Sequence, residues 1–333
     1  MKIAFFELEP WEIEYIKRYL GEHDLLFIDG HLNEDNVSQV KDCDVISIFI
    51  YSAIREELLS KMPNLKLITT MSTGFDHINL DACKKRNITV CNVPSYGENT
   101  VAEYAMGLLL SISRKLPQSI ERVKRNDLSL EGLRGFDLKG KTIGIIGTGR
   151  IGEHMIRICK GFDMNIIAFD PYPKPDFEKK YGMKYVDLNY LLANSDIISL
   201  HAPYNQSTHH LINKNNINLV KRGCVLINTA RGGLIETEAL LQALNDGIIS
   251  AAGLDVLEGE ETVKEERQLL SKIFRNEIDI KIAYADKVLV DMPNVFVTPH
   301  NAFNSTEALT RILDTTIENI RKFISGAPVN TVK

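Results

Sequence analysis

The chain has 333 residues, of which 44% are hydrophobic and 25% charged, with 21 Gly and 11 Pro. This is a globular composition, long enough for two domains, and it excludes disordered, collagen-like and disulfide-scaffold architectures. The 39 basic and 44 acidic side chains leave a net charge of −5, which argues against nucleic-acid binding through bulk positive charge.

Chain order begins with alternating strand and helix patterns. Short apolar runs at Lys2 to Phe6, Leu25 to Ile28, Val45 to Phe49, Leu65 to Thr69 and Ile88 to Cys91 alternate with helix-like stretches at Trp11 to Leu20, Glu34 to Val40, Ile54 to Met62 and Ile78 to Lys85. Continuous apolar runs indicate strands covered on both faces, hence a parallel, doubly wound sheet. From Asn99 to about Leu116 the chain is apolar nearly all round, so this helix is expected inside its domain or against another subunit. A polar link, Gln118 to Leu138, leads to a second series of strand-like runs at Thr142 to Ile146, Asn165 to Phe169, Lys184 to Val186, Asp196 to Leu200, Cys224 to Asn228, Ala251 to Val256 and Val295 to Thr298. These predict a second, larger parallel sheet. Glu261 to Asp291 reads as a charged, partly helical insertion before the last strand, and Ser305 to Ile324 as a final helix that returns to the first domain.

Cysteines Cys43, Cys83, Cys91, Cys159 and Cys224 are odd in number and never spaced C-x-x-C, which fits reduced thiols and no metal site. The adjacent His209 and His210 lack acidic or Cys neighbours at ligand spacing in the sequence. Neither a secretory leader nor an apolar run of the ~18 residues a spanning helix needs is present. The expectation is therefore a cytoplasmic protein without membrane or nucleic-acid partners.

The strand at Thr142 to Ile146 runs directly into Gly147-Thr-Gly149-Arg150-Ile151-Gly152, a G-x-G-x-x-G that opens a helix pattern, and the following strand ends on Asp170. Here Gly147 permits the tight turn, Gly149 lets backbone approach a pyrophosphate, and Gly152 lets helix lie close to strand. The helix N-terminus supplies N–H groups to that pyrophosphate, and Asp170 is placed for the adenosine ribose. Its carboxylate would repel a 2′-phosphate, and neighbouring Pro171 and Tyr172 bring no cation, so NAD is favoured over NADP.

Three charged or titratable residues follow the ends of late strands: Arg231, Glu260 and His300. In an open parallel sheet such ends converge on one crevice. Hydride reduction of a 2-oxo acid needs an acid for the ketone oxygen, a carboxylate to keep that acid charged, and a cation for the substrate oxygens. His300, Glu260 and Arg231 suit those roles in that order. Taken singly, each fits a structural role as well, because spacing alone does not decide.

The motifs Gly147-Thr-Gly-Arg-Ile-Gly152, His201-Ala-Pro203, Asn228-Thr-Ala-Arg231-Gly-Gly, Gly253-Leu-Asp255-Val and Val297-Thr-Pro-His300, in that order, resemble the D-isomer-specific 2-hydroxy-acid dehydrogenases. Val93-Pro-Ser-Tyr96 and Asn99-Thr-Val-Ala-Glu103 extend the resemblance to the front half. Asp170-Pro-Tyr172 and His300-Asn-Ala-Phe303 are most similar to the D-lactate dehydrogenase branch.

That resemblance implies a Rossmann domain over 99–300 and a smaller flavodoxin-like substrate domain from both chain ends, 1–98 plus 301–333. It also implies hinges near Asn99 and His300 and a homodimer through the Asn99 helix. For the cofactor it implies contacts from Arg150, Ile151, Asp170, Pro171, Ala202, Pro203, Thr208, Thr229, Ala230 and Arg231, with Asp255 on the nicotinamide amide. For the substrate it implies a carboxylate held by backbone N–H groups of Ser72-Thr73-Gly74-Phe75, with Tyr96 and Phe303 lining the pocket. Two departures stand out: the long segment between Glu260 and His300, and Tyr104 where the lactate enzymes carry His. Pyruvate is the expected substrate. The alternatives are a glyoxylate or hydroxypyruvate reductase, or an NADH-sensing corepressor on the same scaffold.

Overall fold

The computed structural model describes residues 1–259 and 277–332. They form two compact units, Met1–Tyr96 with Asn304–Lys333, and Gly97–Phe303.

In the first unit, β1 (Lys2–Phe6), β2 (Asp24–Ile28), β3 (Val45–Ile48), β4 (Leu67–Thr70) and β5 (Thr89–Cys91) form a five-stranded sheet in the order β2-β1-β3-β4-β5. All its ladders are parallel. The intervening helices are α1 (Pro10–Leu20), α2 (Glu56–Leu59) and α3 (Leu80–Lys85). Strands β3 and β4 are buried at every position, as continuous apolar runs require. The winding reverses between β1 and β3, the place where such sheets open a crevice at their carboxyl edge.

The helix expected over Glu34 to Val40 shrinks to a 3-10 turn, Val37–Val40. Asn36 Oδ1 accepts the Asn33 N–H at 2.9 Å and Asn33 Oδ1 accepts that of Asp35 at 2.9 Å, so side chains take the N–H groups at the start of this segment.

The second unit opens with α4 (Glu98–Ser113) and α5 (Leu116–Lys124), followed by β6 (Thr142–Ile146), α6 (Arg150–Gly161), β7 (Asn165–Phe169), α7 (Pro175–Tyr181), β8 (Lys184–Tyr185), α8 (Leu188–Asn194) and β9 (Ile197–Leu200). It continues through β10 (Cys224–Asn228), α9 (Thr237–Asn245), β11 (Ile249–Leu254), α10 (Glu277–Asp291) and β12 (Val295–Val297). The seven strands lie in the order β12-β11-β10-β9-β6-β7-β8, all parallel. Alternate residues face opposite cores: Ile143, Ile145, Val225 and Ile227 on one side, Ile146 and Leu226 on the other.

Helix α4 is buried within its own unit, against β10, β11 and α6. Gly253 allows this approach, since a Cβ there would lie 3.1 Å from the Leu108 Cβ. The link expected over Gln118 to Leu138 is helical at its start, where it overlaps α5; Ile120 and Val123 on α5, and Leu128 and Leu130 after it, are exposed. The insertion is partly helical, as its sequence predicts. Its Glu277–Asp291 portion is α10, which packs on α9 and β12 and buries Ala285 and Leu289 four residues apart, on one helical face. The rest, up to residue 276, lies outside the described residues.

After β12 the chain returns to the first unit as α11 (Thr306–Ile324), which is capped by Ser305 and packs on α1 and β4. No helix among the described residues is long and apolar enough to cross a membrane.

Candidate active site

Register decides which residues meet in the second unit. Ile146 pairs with Leu200, Leu200 with Asn228, Asn228 with Leu254, and Leu254 with Val297. The five residues that follow, Gly147, His201, Thr229, Asp255 and Thr298, therefore leave the sheet along a single carboxyl edge. The winding reverses between β6 and β9, so the crevice for a ligand opens at Gly147 and His201.

The glycine loop has the form a dinucleotide requires. Gly147 has φ +92°, and a Cβ on it would press within 2.7 Å of the Ala202 nitrogen. A Cβ on Gly152 would meet the Gly147 carbonyl oxygen at 2.1 Å, so α6 can lie this close only without one. Around Gly149 a Cβ would meet open space, which is the room a pyrophosphate needs at the start of α6. Ile151 lies in the first turn of α6, and Arg150 at its start pairs with Glu98 at 3.4 Å.

Asp170, at the end of β7, is tied to this loop. Its Oδ2 accepts the Thr148 N–H at 2.7 Å and the Thr148 hydroxyl at 2.9 Å, while Oδ1 accepts the Tyr172 N–H at 2.9 Å. The fully buried Thr148, unnoticed in the sequence, thus sets the acid's position. Pro171 follows on the exposed side.

Beyond β9, Ala202 and Pro203 lead to Thr208, whose hydroxyl donates to the Pro203 carbonyl at 2.7 Å. His201 Nε2 meets the Ser199 hydroxyl at 2.9 Å, and burial pushes this imidazole down to about 4, so it is neutral near pH 7. Two buried polar atoms on this edge, His201 Nδ1 and Thr229 Oγ1, have no hydrogen-bond partner among the described residues. Such atoms are ready for a bound ligand. With the glycine cradle and the tethered acid, they fit NAD.

The exit from β10 is stapled by Asn228, another residue the motif reading passed over. Its Nδ2 donates to the Arg231 carbonyl at 2.9 Å and its Oδ1 accepts the Ala230 N–H at 3.0 Å. Arg231 Nη1 donates to the Ala230 carbonyl at 2.8 Å. A Cβ on the next residue, Gly232, would strike the Leu257 carbonyl at 2.1 Å, so the arginine turn lies directly on the chain leaving β11.

Asp255 and His300 lie together at the β11–β12 end of this edge. The Asp255 carboxylate accepts the Thr298 hydroxyl at 2.5 Å and the N–H groups of Asn301 and Ala302 at 2.8 Å each, bracketing His300 on both sides. His300 holds a left-handed φ of +52°, and its N–H reaches the Thr298 carbonyl at 2.9 Å. Burial pushes the Asp255 carboxyl up; the three donors and the charge of His300 pull it back. Three of about four acceptor positions on Asp255 are thus used within the unit. Phe303 is half-buried just beyond this clamp.

Glu260 lies outside the described residues. Two positions earlier, Glu258 is not the solvated turn residue its Glu-Gly-Glu-Glu setting suggests. Its Oε1 lies 2.5 Å from His210 Nε2, and its Oε2 accepts the Thr237 N–H at 3.0 Å and hydroxyl at 2.7 Å. His210 therefore does have an acidic neighbour, brought from 48 residues away by the sheet order. Burial raises the Glu258 carboxyl, but His210 and Thr237 together hold it below the ordinary value.

In the first unit, the loop after β4 is built with its carbonyls turned inward. Val93 N–H donates to the Ser72 carbonyl at 3.0 Å, Asn92 Nδ2 to that of Thr73 at 2.8 Å, and Ser72 Oγ to that of Gly74 at 2.6 Å. The Thr73 and Gly74 N–H groups make no hydrogen bond among the described residues, at an exposed and a half-buried position. Tyr96 ends this unit's first segment, and its carbonyl accepts from Arg311 Nε at 2.5 Å. Tyr104, which stands where the lactate enzymes carry His, packs against the core of the second unit.

Residues 106–302 match the family profile "D-isomer specific 2-hydroxyacid dehydrogenase, NAD binding domain". The chain is 37% identical over 334 residues to a 2-hydroxyacid dehydrogenase homolog of Haemophilus influenzae, covering 98% of this chain and 97% of that one. It is 35% identical to the D-lactate dehydrogenase of Escherichia coli, covering 98% of each. The crystal structure of D-lactate dehydrogenase from Aquifex aeolicus, complexed with NAD and lactic acid, superposes with a TM-score of 0.85 at 34% identity, covering 99% of this chain and 100% of that one. Motif order, sheet topology and whole-length likeness agree, and the chain belongs to the D-isomer-specific 2-hydroxyacid dehydrogenases, oxidoreductases that use NAD.

Proposed function

We propose that this enzyme reduces a small 2-oxo acid, pyruvate first, to the D-2-hydroxy acid, with His300 as the proton donor. The observation that carries the reading is the clamp around His300: the buried Asp255 carboxylate grips the chain on both sides of this residue, on the edge that also bears the glycine loop. The lactic acid bound in the Aquifex relative supports pyruvate as the oxidised partner.

When bound, NADH supplies the hydride for the carbonyl carbon. His300 enters as imidazolium and gives its proton to the carbonyl oxygen; Glu260 keeps it charged, and Asp255 holds its loop still. Arg231 holds the substrate's oxygens with a two-pronged guanidinium. The Thr73 and Gly74 N–H groups take the substrate carboxylate, with Tyr96 and Phe303 against its side chain. Asp170 takes the ribose hydroxyls and disfavours a 2′-phosphate, while Arg150, Ile151, Pro171, Ala202, Pro203, Thr208, Thr229 and Ala230 line the dinucleotide. In this reading 99–300 is the NAD-binding domain, and 1–98 with 301–333 the substrate domain.

The reading also includes a cytoplasmic homodimer through the segment that begins near Asn99. Buried free thiols at all five cysteines suit a reducing compartment. The apolar side chains exposed on and after α5, Ile120, Val123, Leu128 and Leu130, give a second copy a surface to cover.

Following NADH oxidation with glyoxylate, pyruvate, hydroxypyruvate, phenylpyruvate and 2-oxoisocaproate tests the substrate. The highest kcat/KM is expected with pyruvate. A clear preference for glyoxylate or hydroxypyruvate, or tight NADH binding without turnover, would contradict it.

A further inference from the structure

The loop that presents the Thr73 and Gly74 N–H groups is held from behind by a buried chain of asparagines that ends in the C-terminal tail. Asn92, 7% exposed, donates its side-chain N–H to the Thr73 carbonyl at 2.8 Å. The carbonyl of Asn92 in turn accepts from Asn319 Nδ2 at 2.9 Å, and Asn319, on α11, is fully buried. Asn319 Oδ1 accepts from Asn330 Nδ2 at 2.8 Å, and the Asn330 carbonyl accepts the Asn92 N–H at 3.1 Å, which closes the network. Thr73 adds a second tie through its hydroxyl, which donates to the Val93 carbonyl at 2.8 Å.

Asparagine suits these links because its amide is an uncharged group with reach: Asn92 and Asn330 donate through Nδ2, and Asn319 both donates through Nδ2 and accepts through Oδ1. The consequence is directional. With the loop carbonyls engaged on the protein side, the peptide planes turn their N–H groups outward, toward an anion. A loop free to rotate would lose that bias.

We infer that Asn92 and Asn319 are positioning residues for the substrate carboxylate, and that the C-terminal helix and tail, far away in sequence, set the affinity of the loop after β4. This rests on the reading that the Thr73 and Gly74 amides hold the carboxylate. Neither asparagine touches the reacting atoms, so their loss should appear in substrate binding and not in the chemical step.

Steady-state kinetics of Asn319→Ala with pyruvate and NADH are expected to show KM raised about tenfold or more with kcat changed by less than about threefold, since slight misplacement of a holding group costs binding of this order. The inhibition constant of oxamate, a carboxylate analogue of pyruvate, should rise in parallel, while NADH affinity from fluorescence titration stays put. The milder Asn330→Ala, at the half-buried end of the network, should shift KM the same way by a smaller factor, and carries the test where Asn319→Ala does not fold. Combining Asn92→Ala with Asn319→Ala should raise KM by less than the product of the single effects, as expected for links in one network.

An unchanged KM in folded Asn319→Ala, or a fall in kcat with no change in KM, would overturn the inference. Amide hydrogen exchange of the 70–76 segment, with and without oxamate in the presence of NADH, separates the two levels. Protection by oxamate together with an unmoved KM in the variants rejects the asparagine network alone. No protection rejects the carboxylate reading, and the inference with it.

Discussion

The two sheets build their carboxyl edges by different means. The seven-stranded sheet does it with missing atoms and fixed charges: glycines let backbone and helix close on one another, while Asp170, Asp255 and Arg231 stand where strands end. On the five-stranded sheet, neutral amides and hydroxyls hold a short loop from beneath, and its own main chain faces outward. The difference teaches where sequence carries information. Glycine spacing and an acid after a strand are local patterns; an amide on α11 bonded to the Asn92 carbonyl 227 residues earlier is not.

The charged edge should break first and hardest. Replacing His300 with Gln is expected to lower turnover by about 10²- to 10⁴-fold with NADH binding retained, measured by NADH oxidation and fluorescence titration. Comparable turnover in the variant would remove His300 from its role. Arg231→Lys comes next, with a loss of about 10²-fold in kcat/KM, because an ammonium cannot reproduce the paired donors of guanidinium. Normal affinity for pyruvate in that variant would count against the grip.

The glycines sharpen the contrast between shape and binding. Gly152→Ala forces a Cβ to 2.1 Å from the Gly147 carbonyl, so it should lower thermal stability as well as NADH affinity. Gly149→Ala, placed in open space, should weaken NADH binding with the melting temperature kept. Equal melting temperatures for both variants would mean that α6 is not packed as tightly as the cradle requires.

The smallest expected effects separate the edges by pH. His201 is neutral because burial lowers it to about 4 from 6.5, so the unfolded chain binds the extra proton between those values and stability falls as pH drops through them. At pH 5 the cost is about 2 kcal/mol, and it should vanish in His201→Asn relative to pH 7.5. Glu7, at the carboxyl end of β1, works in the opposite direction. Burial raises it to about 7 despite bonds from the Ser52 hydroxyl and the Tyr51 N–H, so the folded state holds the extra proton between 4.5 and about 7 and stability falls as pH rises. Glu7→Gln should melt higher than the parent at pH 8 and no higher at pH 4. Parallel pH slopes for the two variants would contradict these assignments.

Much of this was legible beforehand. Continuous apolar runs gave parallel strands, and the glycine motif with Asp170 gave the tight turn after β6 and the acid after β7, because each signal sits within one βαβ unit. What escaped needed neighbours from other strands. Glu258 reads as a solvated turn residue until the segments after β9 and β10 bring His210 and Thr237 onto it, and Thr148 gains meaning only when β7 sets Asp170 beside it.

The most direct test follows a labelled hydride. Incubating the enzyme with pyruvate and NADH deuterated at the transferable C4 position should yield D-lactate with one deuterium at C2, identified by chiral separation and mass. L-lactate, or D-lactate without deuterium at C2, would contradict the account.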